Sequence, residues 1–264
     1  MVKINTYIID RASNKRYTDF SELFNEKNLP HKKVYYKGGN GVYEGTFNNL
    51  FFDFYHEEIN KIRESVIFTG SSSSSILSFI YNMKKPINIL NILEKVNLSN
   101  NASVKESLYI LFNYFLTNVS IDDLYIQDLF IPILSMNKIF KKEIDLIFYT
   151  NFQTIEDVVN CLIASTFIPK VSNDKFYFIY DNKVVLDPDL LDFFNFRTDI
   201  VNYNLDEVKL FKYCFNSNLD PYTKSYWILK LTLELFRSNP TFDTNIIIHV
   251  NKCYDIIKNL DLQF

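Results

Sequence analysis

Glycine is scarce in this chain of 264: there are five, against 25 phenylalanines and 18 tyrosines. All five are Gly38, Gly39, Gly41, Gly45 and Gly70. Where glycine is rare, clustered glycines mark backbone that needs a positive φ or a close approach to something. Cysteine is nearly absent too. Cys161, Cys214 and Cys253 are odd in number, far apart and without zinc spacing, which excludes a disulfide framework and fits a reducing compartment. The three histidines, His31, His56 and His249, form no metal-binding pattern, and no H-E-x-x-H occurs, so no metal is expected. Long apolar runs are missing. Stretches such as Leu129 to Leu134 fall far short of the ~20 residues that span a bilayer. No charge sign dominates. With 28 Lys+Arg against 31 Asp+Glu, the net charge is −3, which argues against nucleic acid as a partner. The first residues carry no signal-peptide run, so an intracellular, cytoplasmic location is expected.

What is present is ordinary for a globular chain: 47% hydrophobic and 22% charged residues. No linker-like segment or fixed-period repeat divides it, so residues 1–264 read as a single domain. The richness in Phe, Tyr, Asn and Lys fits an AT-rich genome, and with it a bacterial effector or a viral protein.

Patterning places elements along the chain. Thr18 can cap a helix over Asp19 to Asn28. Val34-Tyr35-Tyr36 lies in a short strand that stops at the glycines, and apolar residues from Gly45 to Ile62 recur at helical spacing. Ser65 to Thr69 reads as a buried strand ending at Gly70, followed by five serines and a helix from Ile76 to Met83. Helices are expected over Ile87 to Val96 and over Val104 to Leu116, the latter with a Ser103/Glu106 capping box. Leu129 to Leu134 and Ile144 to Tyr149 read as strands, and Thr154 caps a helix over Ile155 to Thr166. Phe176 to Tyr180 and Lys183 to Leu186 form a hairpin about Asp181-Asn182. A helix around Tyr222 to Phe236, a strand at Ile246 to Val250 and a last helix from about Lys252 complete the chain. Strands alternating with helices predict an α/β domain with a mostly parallel central sheet flanked by helices.

Three segments carry residues suited to chemistry. Gly70-Ser71-Ser72-Ser73-Ser74 follows a strand and precedes a helix, the setting of a nucleophile elbow. Small residues two before and two after the nucleophile make that turn tight, and the helix N-terminus behind it favours negative charge. Taken alone, serines before a helix are more often simply its caps. Lys37-Gly38-Gly39-Asn40-Gly41 can turn backbone N–H groups toward an oxyanion, or can be a structural loop. It is neither a P-loop nor a G-x-G-x-x-G fingerprint. Asp187-Pro188-Asp189 ends a strand, where a carboxylate can act as a base or simply form a turn.

In this order the three segments resemble the patatin-like phospholipase family, whose pattern is a G-G-G-x-R/K-G loop, then G-x-S-x-G, then D-G-G/A. The resemblance covers about residues 34–192 and includes Ile163-Ala164-Ser165 and Ile168-Pro169 before the hairpin. It implies a three-layer α/β fold and a Ser–Asp dyad without histidine. Ser72 would be the nucleophile and Asp187 its base. Gly38, Gly39, Asn40 and Gly41 would supply the oxyanion hole, and Gly70 and Ser74 would flank the elbow. The implied substrate is a phospholipid or other lipid ester, with peripheral membrane contact and no cofactor. The chain departs from the family pattern at Asn40, at Ser74, at Pro188 and in lacking the loop Arg/Lys, where Val42 stands. A second expectation is therefore an inactive patatin-like protein with a binding or assembly role, and a third is an unrelated α/β binding domain.

Overall fold

A computed structural model describes residues 3–39, 49–89, 91–92, 104–137 and 143–193. Asn40, Gly41, Gly45, Ser103 and the elements expected beyond residue 200 lie outside the described residues, as does all but the start of the helix expected over Ile87 to Val96.

The chain opens with a strand that the sequence pattern does not announce, β1 (Lys3–Asp10), and turns into the short β2 (Lys15–Tyr17). Helix α1 (Phe20–Glu26) follows. Its cap is Asp19 rather than Thr18: the Asp19 carboxylate accepts the Glu22 N–H, and Glu22 reaches back to the Thr18 amide and hydroxyl. Strand β3 (Lys33–Lys37) runs to the glycines. Residues 49–54 and α2 (His56–Ile62) then cross over to β4 (Val66–Gly70), which pairs with β3 in parallel, Lys37 opposite Gly70. Next come α3 (Ser73–Tyr81), α4 (Val104–Asn118), β5 (Phe130–Ser135), β6 (Glu143–Thr150) and α5 (Ile155–Ser165). Strands β7 (Phe178–Tyr180) and β8 (Lys183–Leu186) and the short α6 (Leu190–Phe193) end the described part.

The main sheet corrects the expectation of a mostly parallel one. Its six strands run in the order β2-β1-β6-β5-β8-β7, and of its five pairings only β1 with β6 is parallel. Connection length explains this. Only residues 136–142 join β5 to β6, too few for the crossover that parallel neighbours need. Asp181-Asn182 joins β7 to β8 in a turn with φ of 49° and 57°, the two positive angles of a type I′ hairpin. Strands β3 and β4, by contrast, have a helical crossover between them, and they are parallel. The coarser expectation holds: the fold is mixed α/β.

β6 shows how the layers are built. Ile147 and Tyr149 face a large core shared with Phe68, Phe79, Phe115, Val158 and Leu162, so α3, α4 and α5 cover that side. Leu146 and Phe148 face a smaller core with Ile8, Ile67 and Phe130, covered by Leu23 and Phe24 of α1. Both faces are buried, which is why β5 and β6 read as continuous apolar runs rather than alternating ones. β4 lies against β5, and the Thr69 hydroxyl donates to the Phe130 carbonyl at 2.8 Å. From α3, Ser78 donates to the Phe68 carbonyl at 2.9 Å. These bonds fix the end of β4, where the serines begin. Among the described residues no helix is long and apolar enough to cross a membrane.

Candidate active site

The elbow is formed by β4 ending at Gly70, two turn residues, and α3 starting at Ser73. Gly70 is required by close approach. A Cβ there would lie 2.5 Å from both the Lys37 carbonyl oxygen and the Ser74 Cβ. The Ser71 amide donates to that same Lys37 carbonyl at 3.1 Å, locking the ends of β3 and β4 together. Ser72 then takes φ 52° and ψ −128°. For a side chain other than glycine such a backbone costs about 1–3 kcal/mol, and it persists only where its surroundings hold it. Here the Ser72 carbonyl accepts the Ser75 amide at 2.9 Å and the Ser75 hydroxyl at 2.6 Å, and Ser74 N–H donates to Ser71 O at 2.9 Å. Ser72 is partly exposed, while Ser71, Ser74 and Ser75 are buried. Of these four, Ser72 is therefore the hydroxyl a ligand can reach, at the positive end of the α3 dipole.

Asp187 follows β8. Its amide donates to the Phe167 carbonyl at 2.9 Å, and its Oδ1 accepts the Asp189 amide at the same distance. Pro188 fits without strain because the chain turns straight into α6, with Leu190 N–H donating to Asp187 O and Leu191 N–H to Pro188 O. The Asp187 carboxyl is completely buried, and its Oδ2 completes no hydrogen bond of good geometry. Burial above all, and then the Asp189 carboxylate, push its pKa well above the ordinary carboxylate value. The Ser72 hydroxyl beside it and the Asp189 amide pull in the opposite direction. Nucleophile and base candidates, 115 residues apart in sequence (187 − 72), are thus neighbours.

The glycine loop reaches the same place. Ser74 Oγ donates to the Gly38 carbonyl at 3.0 Å, so this serine ties the loop to the elbow. A Cβ on Gly39 would lie 2.4 Å from Ser72 Cβ and 2.2 Å from Asp189 Oδ2, so only glycine lets the loop come this close. The Gly39 N–H is committed elsewhere than to Ser72. It donates to Asp189 Oδ1 at 2.9 Å and approaches Ser71 Oγ at 3.3 Å.

The structure therefore gathers Gly38, Gly39, Gly70, Ser72, Ser74 and Asp187. It adds three residues the sequence reading did not place in the site: Tyr36, Ser71 and Asp189. Asp189 stood in the D-P-D segment, from which Asp187 alone was assigned to the site. Tyr36 and Ser71 gave no signal, because which hydroxyl of a serine run turns inward depends on the β4–α3 geometry.

Histidine takes no part among the described residues. His31 bonds Asn25 at the surface, and His56 bonds the Met83 carbonyl. Cys161 is buried in α5, and burial raises its thiol pKa well above the ordinary value. No group of three or more His, Cys, Asp or Glu among the described residues is arranged to hold a metal ion. No family model, curated protein or solved structure matches this chain.

Proposed function

We propose that the protein is a serine acyl hydrolase that cleaves lipid esters, with Ser72 as nucleophile and Asp187 as its base. The observation that supports this most is Ser72 itself: a strained, reachable serine on a strand-to-helix turn, beside a buried carboxyl whose Oδ2 lacks a well-formed partner. A raised pKa makes Asp187 a stronger base than a solvated carboxylate once it is ionised.

In the reaction, Ser72 Oγ bonds to the ester carbonyl carbon while its proton passes to Asp187. The negative charge on the carbonyl oxygen is stabilised by the α3 N-terminus, and the patatin-like resemblance assigns the same role to the glycine loop. Collapse of this intermediate breaks the ester bond, and the leaving alcohol takes the proton from Asp187. Water then attacks the acyl-serine, Asp187 accepts its proton, and Ser72 recovers that proton as the fatty acid leaves.

The lipid substrate is inferred from the patatin-like resemblance, with support from the hairpin that leads into Asp187. Phe176, Tyr177 and Ile179 on it are 74%, 59% and 58% exposed. The second reading, a patatin-like protein that binds or assembles without hydrolysis, is favoured by one feature: the Gly39 amide is already bonded to Asp189. Fatty-acid release from mixed phospholipid vesicles decides between them. Hydrolysis lost in both Ser72→Ala and Asp187→Ala is the expected result. Full turnover by either variant would sink the dyad.

A further inference from the structure

Three segments far apart in sequence meet at one carboxylate. Asp189 Oδ1 accepts the amide of Gly39, 150 residues away, and the hydroxyl of Ser71, 118 residues away. Ser71 Oγ is in turn the acceptor for Tyr36 O–H at 3.0 Å and for the longer Gly39 contact at 3.3 Å. This uses the full capacity of a hydroxyl, one donor and two lone pairs, and aims its donor at Asp189. Tyr36 belongs to β3, Gly39 to the glycine loop, Ser71 to the turn before Ser72, and Asp189 to the segment that carries Asp187. Ser71 is fully buried, so the hub lies beneath the elbow and Ser72 on top of it.

We propose that Asp189 is a positioning residue, whose carboxylate clasps the glycine loop and the Ser71 turn into one unit and so sets how closely the loop approaches Ser72. Charge-assisted bonds are the strong ones, so this carboxylate outweighs the neutral Ser74-to-Gly38 bond at the other end of the contact. The proposal rests on Ser72 as nucleophile only for its effect on reactivity. The clasp itself can be measured without it.

The test compares the wild type with Asp189→Ala, Asp189→Asn and Ser71→Ala. One readout is exchange of the Gly39 amide by NMR, and the other is the rate at which a fluorophosphonate modifies Ser72. In Asp189→Ala, Gly39 exchange should rise and Ser72 modification should fall, each about 10- to 100-fold for one lost charge-assisted bond. Asp189→Asn keeps an acceptor oxygen and should recover part of both. Ser71→Ala should weaken both and add little on top of Asp189→Ala. Unchanged Gly39 exchange in Asp189→Ala overturns the clasp. Faster modification in that variant, compared on the plateau above the acid limb of the pH profile where Asp187 is ionised in both proteins, also overturns it, since Asp189 would then be blocking the site. Should Asp189→Ala fail to fold, Ser71→Ala carries the test, and wild-type exchange and modification there overturn the proposal. If the wild type is not modified at Ser72, the nucleophile reading fails, and Gly39 exchange alone judges the clasp.

Discussion

Replacing Asp187 by asparagine should remove the base and yet stabilise the protein at neutral pH. Asp187 is fully buried, its Oδ2 lacks a good partner, and Asp189 adds like charge beside it. Its pKa in the folded protein therefore stands above the ordinary 3.8 of the unfolded chain. The folded state keeps this proton at pH values where the unfolded state has lost it. Stability then falls as pH rises from about 4 through the raised pKa, and is level above that. Each unit of elevation corresponds to about 1.4 kcal/mol. Asparagine has nearly the same shape, can keep the bond from the Asp189 amide through its own oxygen, and carries no charge to bury. The expected result is a Tm above that of the wild type at pH 8, by about 2–4 °C for each kcal/mol. The gap should close toward pH 4. Thermal unfolding of both proteins from pH 4 to pH 8 reads it, and fluorophosphonate labelling of the same samples should show reactivity lost. A variant less stable than the wild type at pH 8, or a gap independent of pH, would refute the claim that Asp187 is buried at a cost.

The glycine loop gives a second prediction. In Gly39→Ala the new methyl would sit 2.2 Å from Asp189 Oδ2 and 2.4 Å from Ser72 Cβ, so the loop must move. A displacement near 1 Å at a reacting group costs about 10²-fold, and labelling of Ser72 should fall by that order. Wild-type labelling of a folded Gly39→Ala would show that loop approach is irrelevant. The pH profile of labelling gives a third. Its acid limb should lie above the ordinary carboxylate range, because Asp187 must ionise against burial and against Asp189, the charged group that faces it. In Asp189→Asn the limb should move to lower pH. A limb that stays fixed would mean another group controls it.

Short-range features were legible in the sequence. The Thr154 cap accepts the Asp157 amide as its spacing implies, the Asp181-Asn182 turn has the two positive φ angles a hairpin needs, and the glycines do mark close approach. The elbow was legible for the same reason, since small residues around a strand-to-helix turn are a local requirement. What escaped was non-local. β1 begins Lys3-Ile4-Asn5-Thr6, whose polar residues hide its strand character. Its place in the sheet comes from pairing with β6 about 140 residues on, where Asn5 and Tyr7 also donate to Asp145. The direction of the sheet escaped because alternation of helices and strands says nothing of neighbours joined by a short turn, as β5 and β6 are. Asp189 escaped because a turn residue next to proline looks the same whether or not a glycine amide waits for it.

The claim that most needs testing is that Ser72 is an activated nucleophile. The direct measurement is reaction of the folded wild type with a fluorophosphonate, with and without phospholipid vesicles, followed by mapping of the modified peptide. The account predicts a single adduct at Ser72, absent from Ser72→Ala and strongly reduced in Asp187→Ala. An unmodified wild type under both conditions, or an adduct that survives in Ser72→Ala, would contradict it.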